Sequence, residues 1–421
     1  MNKDIKLFEK AEMPKAVLVN VILQNDDEHA AEASMDELER LLDTAGGEVF
    51  ARMTQNREVP DVRTYIGSGK VKELGEIISG NDIDLVVFDS ELTPTQIKNL
   101  EDDLNNVRVI DRTMLILDIF ALHAVTNEGK VQVELAQLRY TAPRLTGKGL
   151  QLSRQQGGNI AMRGPGETKL ETDRRHLMRR IVSLEKELTE IEKNRQIQRG
   201  QRNRSGIKKV AITGYTNAGK STLLNHLTDA GILAEDKLFA TLDPTTRKFK
   251  IPNGIEILLT DTVGFIRNLP HHLVKAFKST LEEVTNSDII IVMIDASDNE
   301  NEAQLEVTRK LLNDLGAGDK PIMYVYNKCD LSDLQFMDTE QKVHVSAKTG
   351  KGIDNLVSRL EALVMDGKTD EIFDIPNSEG AILNRLYKEA AVIDVEYGEK
   401  FITVKATADR KIKGLMKQYM R

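Results

Sequence analysis

Short apolar runs alternate along residues 1–127 with stretches whose apolar residues recur at helical spacing. Strand-length apolar runs occupy residues 15–23, 48–53, 84–88 and 107–110. Helical spacing occupies residues 34–44, 69–78 and 112 to about 125. Thr93 and Pro94 predict a further helix start, because threonine caps helices and proline fits the first helical position. Strands that alternate with helices indicate a small α/β domain with a parallel or mixed sheet.

The pattern changes over residues 128–205, where we expect a helical hairpin. One helix is predicted at 131–140 and a second at about 168–204, with a single apolar stripe along the second. The 24 residues 143–166 between them contain six glycines and two prolines, which predicts a loop at the tip of the hairpin. A loop of this length without structure of its own is either functional or disordered.

Residues 206–370 again alternate between buried-type strands and helices. The strands are expected at 207–214, 255–260, 288–296 and 321–326. After a polar linker at 366–380, the pattern predicts a helix at 381–391, a hairpin of strands at 392–397 and 401–406, and a basic helix at 409–420. The predicted fold class is therefore α/β in four parts: a small N-terminal α/β domain (1–127), a long helical hairpin (128–205), a central α/β domain (206–370), and a linker with a small C-terminal α/β domain (371–421).

Composition narrows the class of protein. The chain has 421 residues, more than one ordinary core, with 40% apolar and 29% charged residues, as in soluble globular proteins. No apolar run approaches the length of about 18 residues that crosses a membrane, and the N-terminus lacks the apolar segment of a signal peptide. Cys329 is the only cysteine, so no internal disulfide can form. We expect a cytoplasmic monomer without stable membrane insertion, and peripheral contact with a membrane stays open.

The charge is distributed unevenly along the chain. The formal net charge of −8 by itself argues against a nucleic-acid-binding protein. Between Arg139 and Lys209, however, 18 basic and 7 acidic residues give a net charge of +11, which leaves −19 for the rest of the chain. Such a segment favours binding to a polyanion, although charges that pair locally along a solvated helix would give the same count. Because Tyr140 is its only aromatic residue, recognition of the backbone and shape of structured RNA is favoured over base stacking.

Residues 207–222 match the phosphate-binding motif GxxxxGK[ST] in its required context of strand, loop and helix. Glycines let backbone N–H groups approach phosphates, and the N-terminus of the following helix adds its positive dipole end. We expect Lys220 to reach the β- and γ-phosphates and the Ser221 hydroxyl to bind Mg²⁺. The predicted nucleotide-binding residues of this loop are Gly214, Tyr215, Thr216, Asn217, Ala218, Gly219, Lys220 and Ser221.

Three more motifs follow in order, each after a predicted strand. Asp261-Thr262-Val263-Gly264 matches DxxG, in which the carboxylate holds a water on Mg²⁺ and the glycine N–H can sense the γ-phosphate. Asn327-Lys328-Cys329-Asp330 matches NKxD, in which the carboxylate accepts from the N1–H and 2-amino groups of guanine, donors that adenine lacks. Ser346-Ala347-Lys348 matches the SAK element that supports the base. The four motifs predict that residues 206–370 form a P-loop GTPase domain (G domain).

The region between the phosphate loop and DxxG is expected to supply the first switch. Thr241, Thr245 and Thr246 could each complete the Mg²⁺ shell, and each could instead be an ordinary capping or strand-edge threonine. After DxxG, Phe265 occupies the position where Ras-like enzymes carry a water-orienting glutamine. Because an aromatic ring cannot polarise water, we expect slow intrinsic hydrolysis that depends on an outside activator or on backbone groups.

These motifs and three stretches outside the G domain resemble the HflX family of ribosome-associated GTPases, in the TRAFAC class of P-loop GTPases. The stretches are Tyr65-Ile-Gly-Ser-Gly-Lys70, residues 144–158, and Arg163-Gly-Pro-Gly-Glu-Thr-Lys-Leu-Glu171 with the basic helix after it. The resemblance covers residues 15–370, and residues 371–421 are similar to the C-terminal extension of some members. A hydrophobic residue at the position of Phe265 is itself a trait of this family.

The resemblance implies Mg²⁺-dependent GTP hydrolysis that the large ribosomal subunit stimulates, and the splitting of stalled or idle ribosomes into subunits. It implies that the hairpin tip reaches ribosomal RNA near the peptidyl transferase centre, with Arg144, Lys148, Arg154 and Arg163 as candidate RNA-binding residues. It assigns Thr241 as the switch ligand of Mg²⁺, with Phe239, Ala240, Leu242 and Asp243 beside the nucleotide. The expected catalytic residues are Lys220, Thr241, Asp261 and Gly264, and the expected metal ligands are Ser221 and Thr241.

Two other functions stay open on the sequence alone. One is a regulatory GTPase switch that binds protein partners or a membrane surface without remodelling RNA. The other is a GTPase of RNA modification or ribosome assembly. The basic hairpin favours an RNA partner, and the lack of a nucleophile constellation outside the G domain disfavours modification chemistry.

Overall fold

The structure, a computed structural model, describes residues 13–24, 26–145, 165–203, 207–228, 237–239, 242–252, 254–268, 273, 278–331, 337–339, 341–365, 369–408 and 410–421. The chain divides into two compact units. The first unit comprises Met1–Lys193 and two segments from later in the chain, Glu235–Asp243 and Val263–Thr280. The second unit comprises Asn194–Ala234, Pro244–Thr262 and Leu281–Arg421.

The first unit is built on a four-stranded parallel sheet with the order β2-β1-β3-β4. Its elements are β1 (Lys15–Leu23), α1 (Glu28–Ala45), β2 (Glu48–Arg57), α2 (Ser68–Gly80), β3 (Leu85–Phe88), α3 (Pro94–Asp103), β4 (Arg108–Asp111) and α4 (Arg112–His123). The α/β fold predicted for the N-terminal part of the chain is confirmed.

The nearly continuous apolar run of β1 is explained by burial on both faces of this sheet. Ala16 and Leu18 belong to a hydrophobic cluster that includes residues of α1 and α4. Val17, Val19 and Val21 belong to a second cluster, because successive side chains of a strand point to opposite faces. A strand that helices cover on both sides needs no polar alternation.

The start of α3 confirms the capping signal in the sequence. The Thr93 hydroxyl accepts from the Gln96 backbone N–H at 3.3 Å, and the Gln96 side chain accepts from the Thr93 N–H at 3.0 Å. Pro94 occupies the first helical position, where its missing N–H costs no hydrogen bond. The two reciprocal bonds form a capping box that sets the beginning of the helix.

Two long helices, α5 (Asn127–Leu145) and α6 (Pro165–Asn203), follow in the middle of the chain. They pack against each other through Val131, Leu135, Ile181 and Leu184. Ion pairs join Arg139 to Glu185 at 2.6 Å and Arg180 to Glu134 at 2.7 Å. Some charges of the basic segment therefore do pair locally, as the alternative interpretation of its composition expects.

Helix α5 extends beyond its predicted end, so Pro143 lies in a helix and not in the loop where the sequence placed it. Tertiary contacts explain why the helix continues past Pro143. Tyr140 and Arg144, one turn apart on α5, both bind the buried carboxylate of Asp111, Tyr140 through its hydroxyl and Arg144 at 3.2 Å. These contacts hold the last turn of the helix despite the proline.

The second unit contains a six-stranded sheet in the order β10-β9-β8-β5-β7-β6, parallel except for the edge strand β6. From residue 208 to 365 the elements are β5 (Lys208–Gly214), α7 (Lys220–Thr228), β6 (Thr245–Lys250), β7 (Glu256–Asp261), α8 (Lys278–Thr285), β8 (Ile289–Asp295), α9 (Asn301–Asp314), β9 (Ile322–Asn327), β10 (Lys342–His344) and α10 (Ile353–Met365). The strand order reverses around β5, and open α/β sheets bind ligands at the carboxyl ends of strands at such a point.

The C-terminal part of the second unit is a three-stranded antiparallel sheet in the order β11-β13-β12. Its elements are β11 (Thr369–Pro376), α11 (Gly380–Glu389), β12 (Ala391–Tyr397), β13 (Phe401–Ala408), α12 (Arg410–Leu415) and a 3₁₀ turn at Lys417–Tyr419. The predicted hairpin is confirmed.

The predicted polar linker at 366–380 is wrong in its middle, where β11 forms. Phe373 and Ile375 are fully buried, and the residues between and beside them are polar or more exposed. This alternation is the pattern of a half-buried strand, which the high charge of the segment concealed. None of the helices in the described part of the chain combines the length and apolar character needed to cross a bilayer.

Candidate functional site

Two glycines shape the loop between β5 and α7. Gly214 has a φ of +138°, and a Cβ there would lie 2.2 Å from the Met293 carbonyl oxygen. Gly219 has a φ of +90°, and a Cβ there would lie 2.1 Å from Asn327 Nδ2. The loop therefore requires glycine at both positions of the motif, for its backbone conformation and for its packing on β8 and β9.

Lys220 begins α7 with only 6% of its surface exposed. Its ammonium group donates to the Tyr215 carbonyl oxygen at 2.7 Å. Burial lowers the pKa of Lys220 to about 8, although the negative charge of Asp261 opposes this shift. The structure thus places a buried cation within the phosphate-binding motif, where an anionic phosphate is the natural partner.

Asp261 ends β7 and is fully buried. Its Oδ2 accepts from the Ser221 hydroxyl at 2.6 Å, and its buried Oδ1 has no hydrogen-bond partner. Burial raises the pKa of Asp261 against the opposing effects of the Lys220 ammonium and the Ser221 hydroxyl. A buried acceptor left unsatisfied is uncommon in native proteins and needs an explanation.

The oxygen atoms of this pair fit Mg²⁺. Mg²⁺ prefers oxygen ligands and, in nucleotide sites, takes few of them from the protein and the others from phosphates and water. The Ser221 hydroxyl and the Asp261 carboxylate lie side by side. The unpartnered Oδ1 can accept from a water bound to the cation, which explains why this acceptor is left unsatisfied.

Asn327, at the end of β9, connects the phosphate loop with the SAK element. Its Nδ2 donates to the Ala218 carbonyl oxygen at 2.9 Å, and its Oδ1 accepts from the Ala347 N–H at 2.9 Å. The side chain is 3% exposed. Two motifs that are 109 and 20 residues away from Asn327 in sequence are therefore held by one amide.

Asp330 is exposed in the loop after β9. A hydrogen bond from the Ser346 side chain, together with the charges of Lys348 and Lys351, holds the pKa of this carboxyl below its usual range. Asp330 is therefore ionised at neutral pH, as pairing with two guanine N–H donors requires. Cys329 beside it is 5% exposed, and burial raises the pKa of its thiol, which disfavours the reactive thiolate.

An ion pair that we did not expect supports the NKxD loop. Lys328 has a φ of +62°, and its ammonium lies 2.7 Å from Asp295 Oδ2. The signal in the sequence was the position of Asp295 at the end of an apolar strand, β8, next to β9 in the sheet. Carboxyl ends of neighbouring parallel strands lie at the same edge, where their polar side chains can meet.

Of the three candidate threonines of the first switch, two lie in a strand and one lies outside the described residues. Thr245 and Thr246 lie in the edge strand β6, and the Thr246 hydroxyl bonds to the Thr260 hydroxyl at 3.0 Å, so both are strand-edge threonines. Ala240 and Thr241 lie outside the described residues. Phe239, Leu242 and Asp243 belong to the first unit, where Phe239 and Leu242 are buried in its hydrophobic cluster.

The DxxG residues after Asp261 are held by packing. The Thr262 hydroxyl and N–H donate to the Ile212 carbonyl oxygen at 2.9 and 3.1 Å. Val263 belongs to the hydrophobic cluster of the first unit, and Phe265, on the other side of Gly264, is 1% exposed. The Phe265 ring is thus a packing group, in agreement with the expectation that it does not orient water.

The candidate RNA-binding residues fall in two groups. Lys148, Arg154 and Arg163 lie outside the described residues. Arg144 is half-buried in the first unit, with its guanidinium 3.5 Å from the centre of the Tyr140 ring and paired with Asp111. The structure therefore shows Arg144 as a contact between α5 and the N-terminal sheet, and its expected role at RNA stays a prediction.

A phosphate loop at the reversal of strand order, beside a guanine-binding motif on the adjoining strands, defines one class of protein, the P-loop GTPases. Family models agree: residues 209–328 match the 50S ribosome-binding GTPase, 32–121 the GTP-binding GTPase N-terminal region, and 123–202 the GTP-binding GTPase middle region. The chain belongs to the HflX GTPase family.

Membership rests on similarity over most of the chain. The chain is 47% identical over 406 residues to the GTPase HflX of Caldanaerobacter subterraneus subsp. tengcongensis, covering 96% of this chain and 94% of the relative. It is 42% identical over 385 residues to the GTPase HflX of Escherichia coli, covering 90% and 89%. Membership does not depend on solved structures, among which a GTP-binding protein from Sulfolobus solfataricus in complex with GDP is 26% identical; that match covers 84% of this chain and 99% of that chain, with a TM-score of 0.44.

Proposed function

We propose that the protein hydrolyses GTP with Mg²⁺, that the large ribosomal subunit stimulates this reaction, and that the protein splits stalled or idle ribosomes into subunits in the cytoplasm. The observation that carries the nucleotide chemistry is the double contact of Asn327, which holds the phosphate loop and the SAK element with the same amide. This contact supports the proposal, because the loop expected to bind phosphate and the element expected to bind the base share one buried amide.

The residues around the phosphate loop have distinct roles in this proposal. Mg²⁺, when bound, neutralises charge that develops on the phosphate oxygens. Ser221 and Asp261 are the described residues that hold it, and the family resemblance adds Thr241. Lys220 binds the β- and γ-phosphates as a buried cation, and low local polarity strengthens that attraction.

The burial of Phe265 supports the dependence on an activator. In P-loop GTPases a positioned group orients the attacking water, and a group that an activator supplies can raise the rate by orders of magnitude. A ring that is 1% exposed cannot perform this task. We therefore expect the isolated protein to hydrolyse GTP slowly and the ribosomal subunit to supply or order the missing group.

The basic hairpin supports an RNA partner. The segment 139–209 has a net charge of +11, and Arg174, Arg175 and Arg179 on α6 are exposed. The family model that matches residues 209–328 is described as 50S ribosome-binding GTPase. In the proposal, Lys148, Arg154 and Arg163 at the hairpin tip bind ribosomal RNA near the peptidyl transferase centre, while the G domain binds GTP.

The decisive experiment changes the tip charges and leaves the nucleotide site intact. The variant carries Arg154→Glu and Arg163→Glu, and a charge-matched control carries Lys72→Glu and Lys310→Glu, two exposed lysines outside the hairpin. Light scattering of intact ribosomes with GTP follows splitting, sedimentation with a non-hydrolysable GTP analogue follows binding, and phosphate release follows hydrolysis with and without large subunits. Each lost phosphate contact lowers the salt slope of binding by about one.

We expect the tip variant to lose splitting and ribosome-stimulated hydrolysis, with unchanged GTP affinity, while the control behaves as the wild type. Wild-type splitting by the tip variant would show that the loop is only a connector. Equal hydrolysis rates of the wild type with and without subunits would show that the ribosome is not the activator, and would favour a regulatory switch with another partner.

A further inference from the structure

The described residues 237–239, 242 and 243, in the region where the sequence predicts the first switch, belong to the first unit. Leu238, Phe239 and Leu242 are buried in the hydrophobic cluster of the N-terminal sheet. The Phe239 ring meets the Phe120 ring of α4 edge to face, with 4.7 Å between centroids. Phe239 has a φ of +57°, a conformation that bulky residues adopt only where their surroundings impose it.

Asp243, at the end of this segment, binds the N-terminus of α5. Its Oδ2 accepts from the backbone N–H groups of Val125 and Thr126 at 2.9 and 2.8 Å. Its Oδ1 accepts from the Thr126 hydroxyl, whose oxygen in turn accepts from the Gly129 N–H at 3.0 Å. A carboxylate that is 117 residues away in sequence thus holds Thr126, the residue whose hydroxyl caps α5, and satisfies its N–H together with that of Val125, which precedes the helix.

Gly129 makes this contact possible. A Cβ at position 129 would lie 2.6 Å from Asp243 Oδ1 and 3.2 Å from the Thr126 hydroxyl oxygen. Glycine is otherwise unfavourable within a helix, where alanine is preferred. Its presence in the first turn of α5 is therefore explained by the approach of Asp243.

We propose that Asp243 is a removable cap of α5, formed while the first switch is anchored in the first unit and lost when the switch turns towards GTP. The positive φ of Phe239 makes the anchored form one that packing holds against backbone strain, so that a competing interaction of the switch with GTP can release it. Because α5 leads directly into the hairpin tip, the cap makes the stability of the arm depend on the bound nucleotide. This inference rests on the proposed function only in that the chain binds guanine nucleotides.

Coupling between nucleotide binding and the contact of Asp243 with α5 must be reciprocal. If GTP binding removes the cap, then removing the cap by mutation must favour GTP over GDP by the same factor. Replacement of a capping contact corresponds to a change of about 3- to 30-fold in an equilibrium constant. The nucleotide preference of the isolated protein therefore measures the cap directly, without a ribosome.

The test uses the full chain with Gly129→Ala, which lies outside the nucleotide site, and Gly75→Ala in α2 as the matched control. At position 75 a Cβ would meet only Leu104 Cδ2 within 4 Å, at 3.9 Å. Titration with GDP and with a non-hydrolysable GTP analogue gives the ratio of the two dissociation constants. Hydrogen exchange at the first turn of α5, measured with GDP bound and with the GTP analogue bound, shows whether the cap opens. Thr126→Val removes the capping hydroxyl and serves as a second variant if Gly129→Ala does not fold.

We expect Gly129→Ala and Thr126→Val to shift the ratio towards the GTP analogue by about 3- to 30-fold, and the control to leave it unchanged. In the wild type, exchange at the first turn of α5 should be faster with the analogue than with GDP. Three results would each contradict the proposed role of Asp243: an unchanged ratio of the two dissociation constants, a shift of that ratio towards GDP, or an equal shift in the control. If the wild type binds no guanine nucleotide, the proposed function is wrong. If the wild type binds normally and the variants have the same ratio of dissociation constants, only the proposed role of Asp243 is wrong.

Discussion

The four-stranded sheet and the mainly parallel six-stranded sheet both place polar side chains at the carboxyl ends of their parallel strands, but those side chains have different partners. In the six-stranded sheet, Lys220 donates to a backbone carbonyl and Asp261 keeps one buried oxygen without a hydrogen-bond partner. In the four-stranded sheet, buried Arg112 forms ion pairs with Glu37 and with Asp89, the latter at 2.6 Å.

A second buried polar group at the strand ends of the four-stranded sheet, Asp111, also has hydrogen-bond partners from within the chain. Asp111, at the end of β4, accepts from the Leu92 and Met114 N–H groups, from the Tyr140 hydroxyl and from Arg144. Both sheets have a point where strand order reverses, the position where ligands bind in open α/β sheets. The difference teaches that topology alone does not identify a site. At the strand ends, a carboxylate oxygen without a hydrogen-bond partner, that of Asp261, and glycines with constrained backbones distinguish the sheet that binds a ligand from the sheet in which the carboxylate of Asp111 is surrounded by donors.

The largest effect that tests this comparison is expected at Arg112. Arg112→Met leaves two buried carboxylates without their cation, which should cost about 3–5 kcal/mol of stability in the first unit. The triple variant Arg112→Met, Glu37→Gln, Asp89→Asn removes all three charges and should recover part of that loss. Native-state hydrogen exchange at the amides of β3 reports the first unit separately, since a chain with two units need not unfold in one step.

The control for this prediction is Arg63→Met, which breaks the exposed pair with Asp103 and should change stability little. If Arg112→Met is no more destabilising than Arg63→Met, the ionic cluster is not what fills the carboxyl edge of the N-terminal sheet.

A smaller effect is expected at the base-binding end of the six-stranded sheet. Asp330→Asn loses an ionised acceptor for two guanine donors, so GTP affinity should fall tenfold or more, about 1–3 kcal/mol. Xanthosine triphosphate should gain affinity, because its C2 carbonyl can accept from the new amide N–H. Competition binding measures both, with Asp319→Asn, an exposed change elsewhere in the second unit, as control. Retention of the wild-type preference for guanine would disprove the role of Asp330.

The smallest effect concerns a carboxyl whose pKa shifts in the opposite direction to that of Asp330. Asp118 on α4 is 5% exposed, and burial raises its pKa from 3.8 to about 7, although the charge of Arg108 and a hydrogen bond from Gln137 lower it. Because the folded state then binds more protons than the unfolded chain, stability falls as pH rises from about 4 to about 7. Between pH 5 and 7 the loss should be roughly 2 kcal/mol.

Asp118→Asn should remove this dependence and make hydrogen exchange in α4 equally protected at pH 5 and 7, after correction for the intrinsic rate. Asp82→Asn, an exposed change in the same unit, should keep the wild-type dependence. A wild type whose α4 stability is the same at both pH values would show that Asp118 is ionised throughout.

Local patterns predicted most of the fold. The Thr93-Pro94 signal marks the start of α3, the apolar run of β1 marks a strand covered on both faces, and the alternation of elements indicates the parallel sheets. These features depend on neighbours within a few residues, which a sequence displays directly. Where local signals conflicted, prediction failed: Pro143 argued for a loop, and the charges of 366–380 concealed β11.

The candidate site also combines features that the sequence predicted with features that it could not predict. The sequence by itself determined the chemistry of the phosphate loop, DxxG, NKxD and SAK motifs, because each is a short run of residue types with one physical task. It could not determine that one amide of Asn327 joins two of these motifs, that Lys328 pairs with Asp295, or that Asp243 binds the start of α5.

Only the tertiary structure decided which polar groups would be satisfied by the chain and which would be left for a ligand. Asp111 and Asp261 both end buried strands and are equivalent in the sequence pattern. Yet two side chains of the distant helix α5 bind the first, whereas one oxygen of the second has no hydrogen-bond partner. Side chains on α5 bind Asp111 because packing of that helix brings them there, and packing depends on contacts between residues far apart in the chain. A local pattern carries no information about such contacts, and for that reason the sequence identified the GTPase motifs while the structure distinguished the filled sheet edge from the one that binds.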